Sequence, residues 1–125
     1  MSRIMVVDDD SDHVFVLKIA LRKGGYDVVE AYGGKECLSK IVKAKPDLVI
    51  MDIMMPDMNG WDVCKKIKED PLTSAIPVSM LSVRGEEEDI RKSFDYAHAD
   101  EHMRKPIELG KLINTVESLL SRAST

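Results

Sequence analysis

Cysteine is scarce in this 125-residue chain: Cys37 and Cys64 are the only two, and both fall on apolar positions of predicted helices. Two such residues make neither a disulfide framework nor a zinc ligand set. As buried free thiols they point to a reducing compartment. An excess of basic charge is also missing, with 18 Lys and Arg against 22 Asp and Glu and a formal net charge of −4. No Lys/Arg block is present, so a direct nucleic-acid partner is not expected, because a phosphate backbone has to be met by a dense basic face. A metal cation, or a basic patch on another protein, suits this balance better. No apolar run approaches the roughly 20 residues of a membrane span. Met1-Ser2-Arg3 leads straight into a strand pattern without a signal-peptide signature, so the expected location is the cytoplasm, with no membrane partner.

What is present is an ordinary globular composition, 44% hydrophobic with mixed charges. The length suits a single domain over residues 1–125, with a core from about 3 to 121 and a frayed tail from Ser121 to Thr125. Five short apolar runs occur at Ile4–Val7, Tyr26–Ala31, Leu48–Met51, Ile76–Leu81 and, more weakly, Ala99–Met103. Runs this short and rich in Val and Ile fit strands buried on both faces of a parallel sheet.

Helical spacing fills the gaps between them. Val14, Leu17 and Leu21 form one stripe, ended by Gly24-Gly25. Cys37, Leu38, Ile41 and Val42 form a second, closed by Pro46. Trp61, Cys64 and Ile67 suggest a third, and Ile90 with Phe94 a thinner fourth. Leu109, Leu112, Ile113, Val116, Leu119 and Leu120 keep the helical rhythm most clearly. Alternating strands and helices mean βαβ units with right-handed crossovers. The expected architecture is α/β, a doubly wound (βα)5 sandwich, whose ligand site lies at the carboxyl ends of the strands.

Asp8-Asp9-Asp10 follows the first predicted strand, Asp52 the third, Ser82 closes the fourth, and Lys105-Pro106 comes after the fifth. Crowded carboxylates repel one another unless a cation sits among them. Oxygen-only donors suit Mg²⁺ or Mn²⁺, and a nearby ammonium can hold a phosphoryl oxygen. Taken singly, each residue has a plainer reading. The Asp8–Asp12 cluster caps a helix, through Ser11 or Asp12 in our reading; Asp52 and Ser82 are turn residues; Lys105 is a solvated charge. Their joint placement at four strand ends of one sheet points instead to a phosphoryl-transfer site.

The segment from Leu48 through Asp52, Pro56 and Gly60, together with Val6–Asp10, Met80-Leu81-Ser82 and Lys105-Pro106, resembles response-regulator receiver domains. The likeness runs over nearly the whole chain and is closest to the single-domain, chemotaxis-regulator-like type. It implies a flavodoxin-like five-stranded parallel sheet in the order 2-1-3-4-5. It further implies that Asp52 accepts a phosphoryl group from a phosphohistidine on a sensor histidine kinase or phosphotransfer protein. By the same likeness Asp9 is the main Mg²⁺ ligand, Asp8 acts through water, Asp52 and the backbone carbonyl of Met54 complete the protein's share, and Lys105 and Ser82 bind phosphoryl oxygens. Such a chain is a signalling phosphoacceptor rather than an enzyme; only self-phosphorylation from small donors and self-dephosphorylation are expected. The Lys105-Pro106 bond is typically cis in the family. Pro56 is expected to fix φ in the loop presenting Met54, and Gly60 to permit a backbone turn.

Three positions depart from the family pattern. His102 stands where Tyr or Phe is common and is expected at an exposed strand end without a signalling role; seated in the pocket, it would add pH sensitivity. Val83 replaces a small residue beside Ser82. Met54 and Arg84 flank the expected path of hydrolytic water, and pairing of Arg84 with the phosphoryl group would lengthen its lifetime. Trp61 is read either as packing or as a partly exposed reporter near the site, and the remaining methionines as core filler.

Phosphoaspartate-forming phosphatases fit poorly, since those of the haloacid-dehalogenase kind carry the nucleophile after their first strand and usually need a cap domain. A flavin carrier would want a Ser/Thr/Gly-rich loop in place of Asp8–Asp10. The remaining alternative is a receiver fold serving as an interaction module that is not phosphorylated. Output would pass through protein contacts on a face drawn from 86–96, 101–104 and the exposed side of 109–121, to an unidentified downstream protein or a dimer formed on phosphorylation.

Overall fold

Strands β1 (Arg3–Val7), β3 (Leu48–Met51) and β4 (Val78–Ser82) form the middle of the sheet, and from Ile4 onward every residue in them is buried. Burial on both faces explains why they read as unbroken apolar runs rather than alternating ones. The computed structural model describes residues 1–123. Strands β2 (Asp27–Ala31) and β5 (Glu101–Arg104) form the two edges, giving a parallel five-stranded sheet in the order β2-β1-β3-β4-β5. That is the architecture and strand order expected.

Helices α1 (Ser11–Lys23), α2 (Gly34–Ala44), α3 (Gly60–Glu69), α4 (Glu87–Arg91) and α5 (Leu109–Ala123) complete the alternation. Successive residues of β1 point to opposite faces. Ile4 and Val6 join Val14, Leu17 and Leu21 of α1 and Leu112, Val116 and Leu119 of α5 in one core. Met5 and Val7 join Cys37 and Ile41 of α2 and Trp61, Val63, Cys64 and Ile67 of α3 in the other. Both cysteines are free and buried, and burial pushes each thiol up to about 12. They pack as small apolar groups.

Several local expectations need correction. The N-cap of α1 is Asp10, whose carboxylate accepts from the amides of Asp12 and His13; neither Ser11 nor Asp12 has that role. Val42 and Leu109 are 43% and 49% exposed. Val42 lies about 100° round the helix from buried Ile41, and Leu109 opens its helix with no preceding turn to cover it. Helix α4 differs most. Ile90 and Phe94 are each 38% exposed, while Asp89, Ser93 and Ala97 are buried. After Arg91 the helix widens into a π-helical turn over Lys92–Tyr96, closed by the Ala97 amide donating to the Lys92 carbonyl at 3.0 Å. The inward stripe is therefore polar and small, and the apolar pair faces out. Of the expected tail, Ser121–Ala123 continue α5; Ser124 and Thr125 lie outside the described residues.

Gly60 serves close approach, since its φ is not in the left-handed region. A Cβ there would stand 2.2 Å from the Asp52 carbonyl oxygen and 2.8 Å from Ile53 Cα, while the Gly60 amide donates to the Ile53 carbonyl at 2.7 Å. Both obstacles are backbone, so neither yields cheaply. Gly60→Ala is expected to cost about 3 kcal/mol or more, read as a lower midpoint in urea unfolding with an unchanged slope.

Candidate functional site

Register delivers the site. Val7 pairs with Met51 and Met51 with Met80, so the residues that follow β1 and β3, Asp8 and Asp52, emerge side by side at the carboxyl edge. The Asp52 amide donates to the Val7 carbonyl at 2.9 Å and extends the ladder one step into the site. Ser82 closes β4 opposite Arg104 of β5. The next residue, Lys105, is linked to Pro106 by a cis peptide bond.

Asp8 is the hub, only 2% exposed. One carboxylate oxygen accepts the Asp10 amide at 3.0 Å. The other is shared by the Lys105 ammonium at 2.9 Å and His13 Nδ1 at 2.7 Å. The same ammonium lies 3.7 Å from Asp52 Oδ2. Ligand oxygens of Asp8, Asp9 and Asp52 all fall within 4.8 Å of one another.

Such crowding separates the two buried carboxyls. Burial would raise Asp8, but the Asp10 amide, His13 and Lys105 outweigh it and hold the group below the usual carboxylate range. Asp52 goes the other way. Burial first, then the Asp8 charge, push it up to about 6, against the pull of Lys105 and the Met54 and Ile53 amides. Three carboxylates thus face one ammonium in a mostly buried nest, with only Asp9 exposed to solvent. An all-oxygen donor set of this kind fits a small hard divalent cation such as Mg²⁺ or Mn²⁺.

Of the residues singled out from sequence, Asp8, Asp9, Asp52 and Lys105 come together. Met54 follows Asp52 in the loop, its amide reaching Asp52 Oδ1 at 3.4 Å and its side chain half exposed. Ser82 is fully buried at the end of the adjacent strand, and its Oγ accepts the Arg84 amide at 3.2 Å. Val83 is 61% exposed. The Arg84 guanidinium bonds Asp89 and lies 5.2 Å from the Trp61 ring centroid, so in this state it is directed to α4. Arg84 and Met54 do line one cavity of about 460 Å³ beside the Asp52 loop.

Trp61 is buried, as the packing reading had it. His102 is the clear correction: it is half-buried rather than exposed, with both ring nitrogens bonded, Nδ1 to Ser93 Oγ at 2.7 Å and Nε2 to the Arg84 carbonyl at 2.9 Å.

Sequence reasoning missed two contributors. His13 sits in the first turn of α1, where a side chain leans back toward the helix N-terminus and so reaches Asp8. The spacing from the Asp10 cap was the available signal. Asp57 caps α2 across 23 and 22 residues of chain, its carboxylate accepting the Gly34 and Lys35 amides at 3.1 and 2.9 Å. It ties the loop after β3 to a neighbouring helix. No local pattern announces such a cap.

A five-stranded doubly wound sheet in this order, with an acidic nest at its carboxyl edge, defines the flavodoxin-like class of CheY-like receiver folds. The family model for the response regulator receiver domain matches residues 4–117, and the chain belongs to that family. It is 35% identical over 98% of its length to the DNA-binding dual master transcriptional regulator RpaA of Synechocystis sp., covering 50% of that protein. It is 36% identical over 97% of its length to the alkaline phosphatase synthesis transcriptional regulatory protein PhoP of Bacillus subtilis, covering 49%. The chain therefore spans about half the length of these curated relatives. Among solved structures, a two-component response regulator from Clostridium difficile superposes with a TM-score of 0.92 at 29% identity, with full coverage of both chains. The Vibrio cholerae chemotaxis protein CheY4 superposes at 0.89 and 27% identity, covering 95% of this chain and 98% of that one.

The raised Asp52 carboxyl has a stability consequence. Between the ordinary value of 3.8 and about 6 the folded chain holds a proton that the unfolded chain releases, so this group's contribution falls as pH rises through that window. Asp8, held low, contributes stability that is lost as pH falls. In divalent-free buffer near pH 7.5, Asp52→Asn is expected to stabilise the fold by about 1–3 kcal/mol. The gain should shrink below about pH 5, and Mg²⁺ should raise the melting temperature of the parent more than that of the variant. Urea and thermal unfolding at two pH values check each part.

Proposed function

We propose that this receiver is the phosphoacceptor switch of a two-component phosphorelay, with Asp52 taking a phosphoryl group from a phosphohistidine on a sensor histidine kinase or phosphotransfer protein. One observation carries the reading: a single ammonium, Lys105, reaches both Asp8 and Asp52 at the point where the oxygens of Asp8, Asp9 and Asp52 converge. Asp8, Asp9, Asp52 and the Met54 carbonyl are the residues that would hold Mg²⁺. When bound, the cation neutralises the nest and the charge that develops on the transferred group.

The protein's own groups do the rest. An Asp52 carboxylate oxygen attacks phosphorus; the new O–P bond forms as the donor's N–P bond breaks, and the donor imidazole leaves with the electron pair. Lys105 turns from Asp8 to a phosphoryl oxygen, as an ammonium on a flexible stem can. The Ser82 hydroxyl donates to another. The acyl phosphate adds between one and two negative charges, and the loop after β4 rearranges around them.

The domain is taken to occupy the whole of 1–125 and to work in the cytoplasm; no helix among the described residues is long and apolar enough to cross a membrane. With net charge −4, its output is assigned to protein contacts rather than to direct binding of nucleic acid. On the side of β5 and α5, a groove of about 740 Å³ is lined by residues including Arg104, Ile107 and Lys111. Dimerisation on phosphorylation would use the same face.

Incubation with acetyl phosphate and Mg²⁺, followed by intact mass measurement, tests the proposal. One added phosphoryl group is expected in the parent, and none in Asp52→Asn or when the divalent ion is chelated. A parent chain that stays unlabelled at donor concentrations sufficient for other receivers would favour the constitutive interaction module instead.

A further inference from the structure

Helix α1 grips Asp8 by both carboxylate oxygens from its N-terminal turn. The Asp10 amide donates to Oδ1 at 3.0 Å, and Nδ1 of His13 lies 2.7 Å from Oδ2. The Asp10 carboxylate accepts the Asp12 amide at 3.0 Å and the His13 amide at 3.3 Å, which fixes the turn that carries both donors. Asp8 is held below the usual carboxylate range, so near neutral pH it only accepts, and Nδ1 of His13 carries the hydrogen and donates. The ring does no comparable service for its own helix. The start of a helix has spare N–H groups and the positive end of the dipole, so acceptors serve it and a further donor does not.

Lys105 docks on the same oxygen, 2.9 Å from Oδ2. The two donors differ in kind: one is fixed by a helix turn, the other rides on a flexible stem. An Asp8 held by Lys105 alone would keep that ammonium in place, because removing one partner of a buried ion pair leaves an uncompensated charge. Asp8 is 2% exposed, so water is poorly placed to fill the gap. His13 already fills it.

We propose that His13 is a positioning residue for phosphoryl transfer: it keeps Asp8 oriented and partnered when Lys105 leaves, and so frees that ammonium for the phosphoryl group. His13 acts through Asp8 and touches no reacting atom. Its Nδ1–H and the Asp10 amide then hold the two Asp8 oxygens from one turn of α1, with the carboxylate still aimed into the acidic nest. The release of Lys105 rests on Asp52 being the acceptor; the shared grip on Asp8 does not.

A double-mutant cycle in divalent-free buffer tests the shared grip. His13→Leu and Lys105→Met each leave Asp8 with one of its two side-chain donors. Together they should lower the melting temperature by more than the sum of the single changes, and the excess should vanish in an Asp8→Asn background. Additive losses, or an excess that survives without the Asp8 charge, overturn the proposal. Release of Lys105 is read as binding of beryllium fluoride, a phosphoryl mimic, at saturating Mg²⁺ by fluorine-19 NMR. His13→Leu should weaken that binding on the order of tenfold, the usual cost of losing a partner that orients a site carboxylate. His13→Asn, whose amide can donate from near the Nδ1 position, should restore most of it. Unchanged binding in His13→Leu, or no recovery with Asn, rules the role out. A parent chain that binds no mimic counts against the phosphoacceptor reading and the release with it, while the cycle still decides the shared grip.

Discussion

Among the described residues, the Lys105 ammonium is the one positive charge set between Asp8 and Asp52, 2.9 Å from the first and 3.7 Å from the second. Both carboxyls are buried, and mutual repulsion in such a setting raises one of them unless charge is supplied. Lys105 and His13 favour Asp8, and Asp52 is left with the unmet part. A group in that position gains from any added cation, and its oxygens stay available for one. Stability is given up at the residue where the chemistry is proposed.

The rest of the scaffold holds that conflict in place. Parallel pairing of β1 with β3 puts Asp8 beside Asp52, and burial of both strands on two faces fixes the register, since a slip would expose an entire set of apolar side chains. Gly60 lets α3 start directly against the Asp52 carbonyl, and Asp57 fastens the same loop to α2. The neighbourhood of Asp52 is thus anchored from both sides, while the loop after β4 is held mainly through polar contacts of Arg84, Asp89 and His102. Polar contacts of this kind can be exchanged as charge changes at Asp52, in a way that a packed apolar seam cannot.

Helix α4 shows how far that principle extends. Its inward residues, Asp89 and Ser93, have side-chain partners in Arg84, Trp61 and His102. The π-helical turn that follows brings Ala97 into the core and leaves Phe94 partly exposed. Helix α4 is therefore joined to the loop after β4 and to β5 by hydrogen bonds, beside the apolar seat of Ala97.

Alternation of apolar runs with amphipathic segments was enough to read the sheet, its layers and the strand ends bearing Asp8, Asp52, Ser82 and Lys105, because two-sided burial and helical spacing are local properties of the chain. The polar stripe of α4 was misread from Ile90 and Phe94, since the pattern that identifies a buried face assumes that face is apolar. The Asp57 cap, the grip of His13 on Asp8 and the seat of His102 were decided only by tertiary structure. Two of these join side chains to groups 18 or more residues away, and the third depends on how a helix start is aimed at a strand end. Sequence by itself determined which residues reach the carboxyl edge of the sheet; the folded chain decided which of them share a proton or a charge, because hydrogen bonds and ion pairs form by distance in space and not by spacing along the chain.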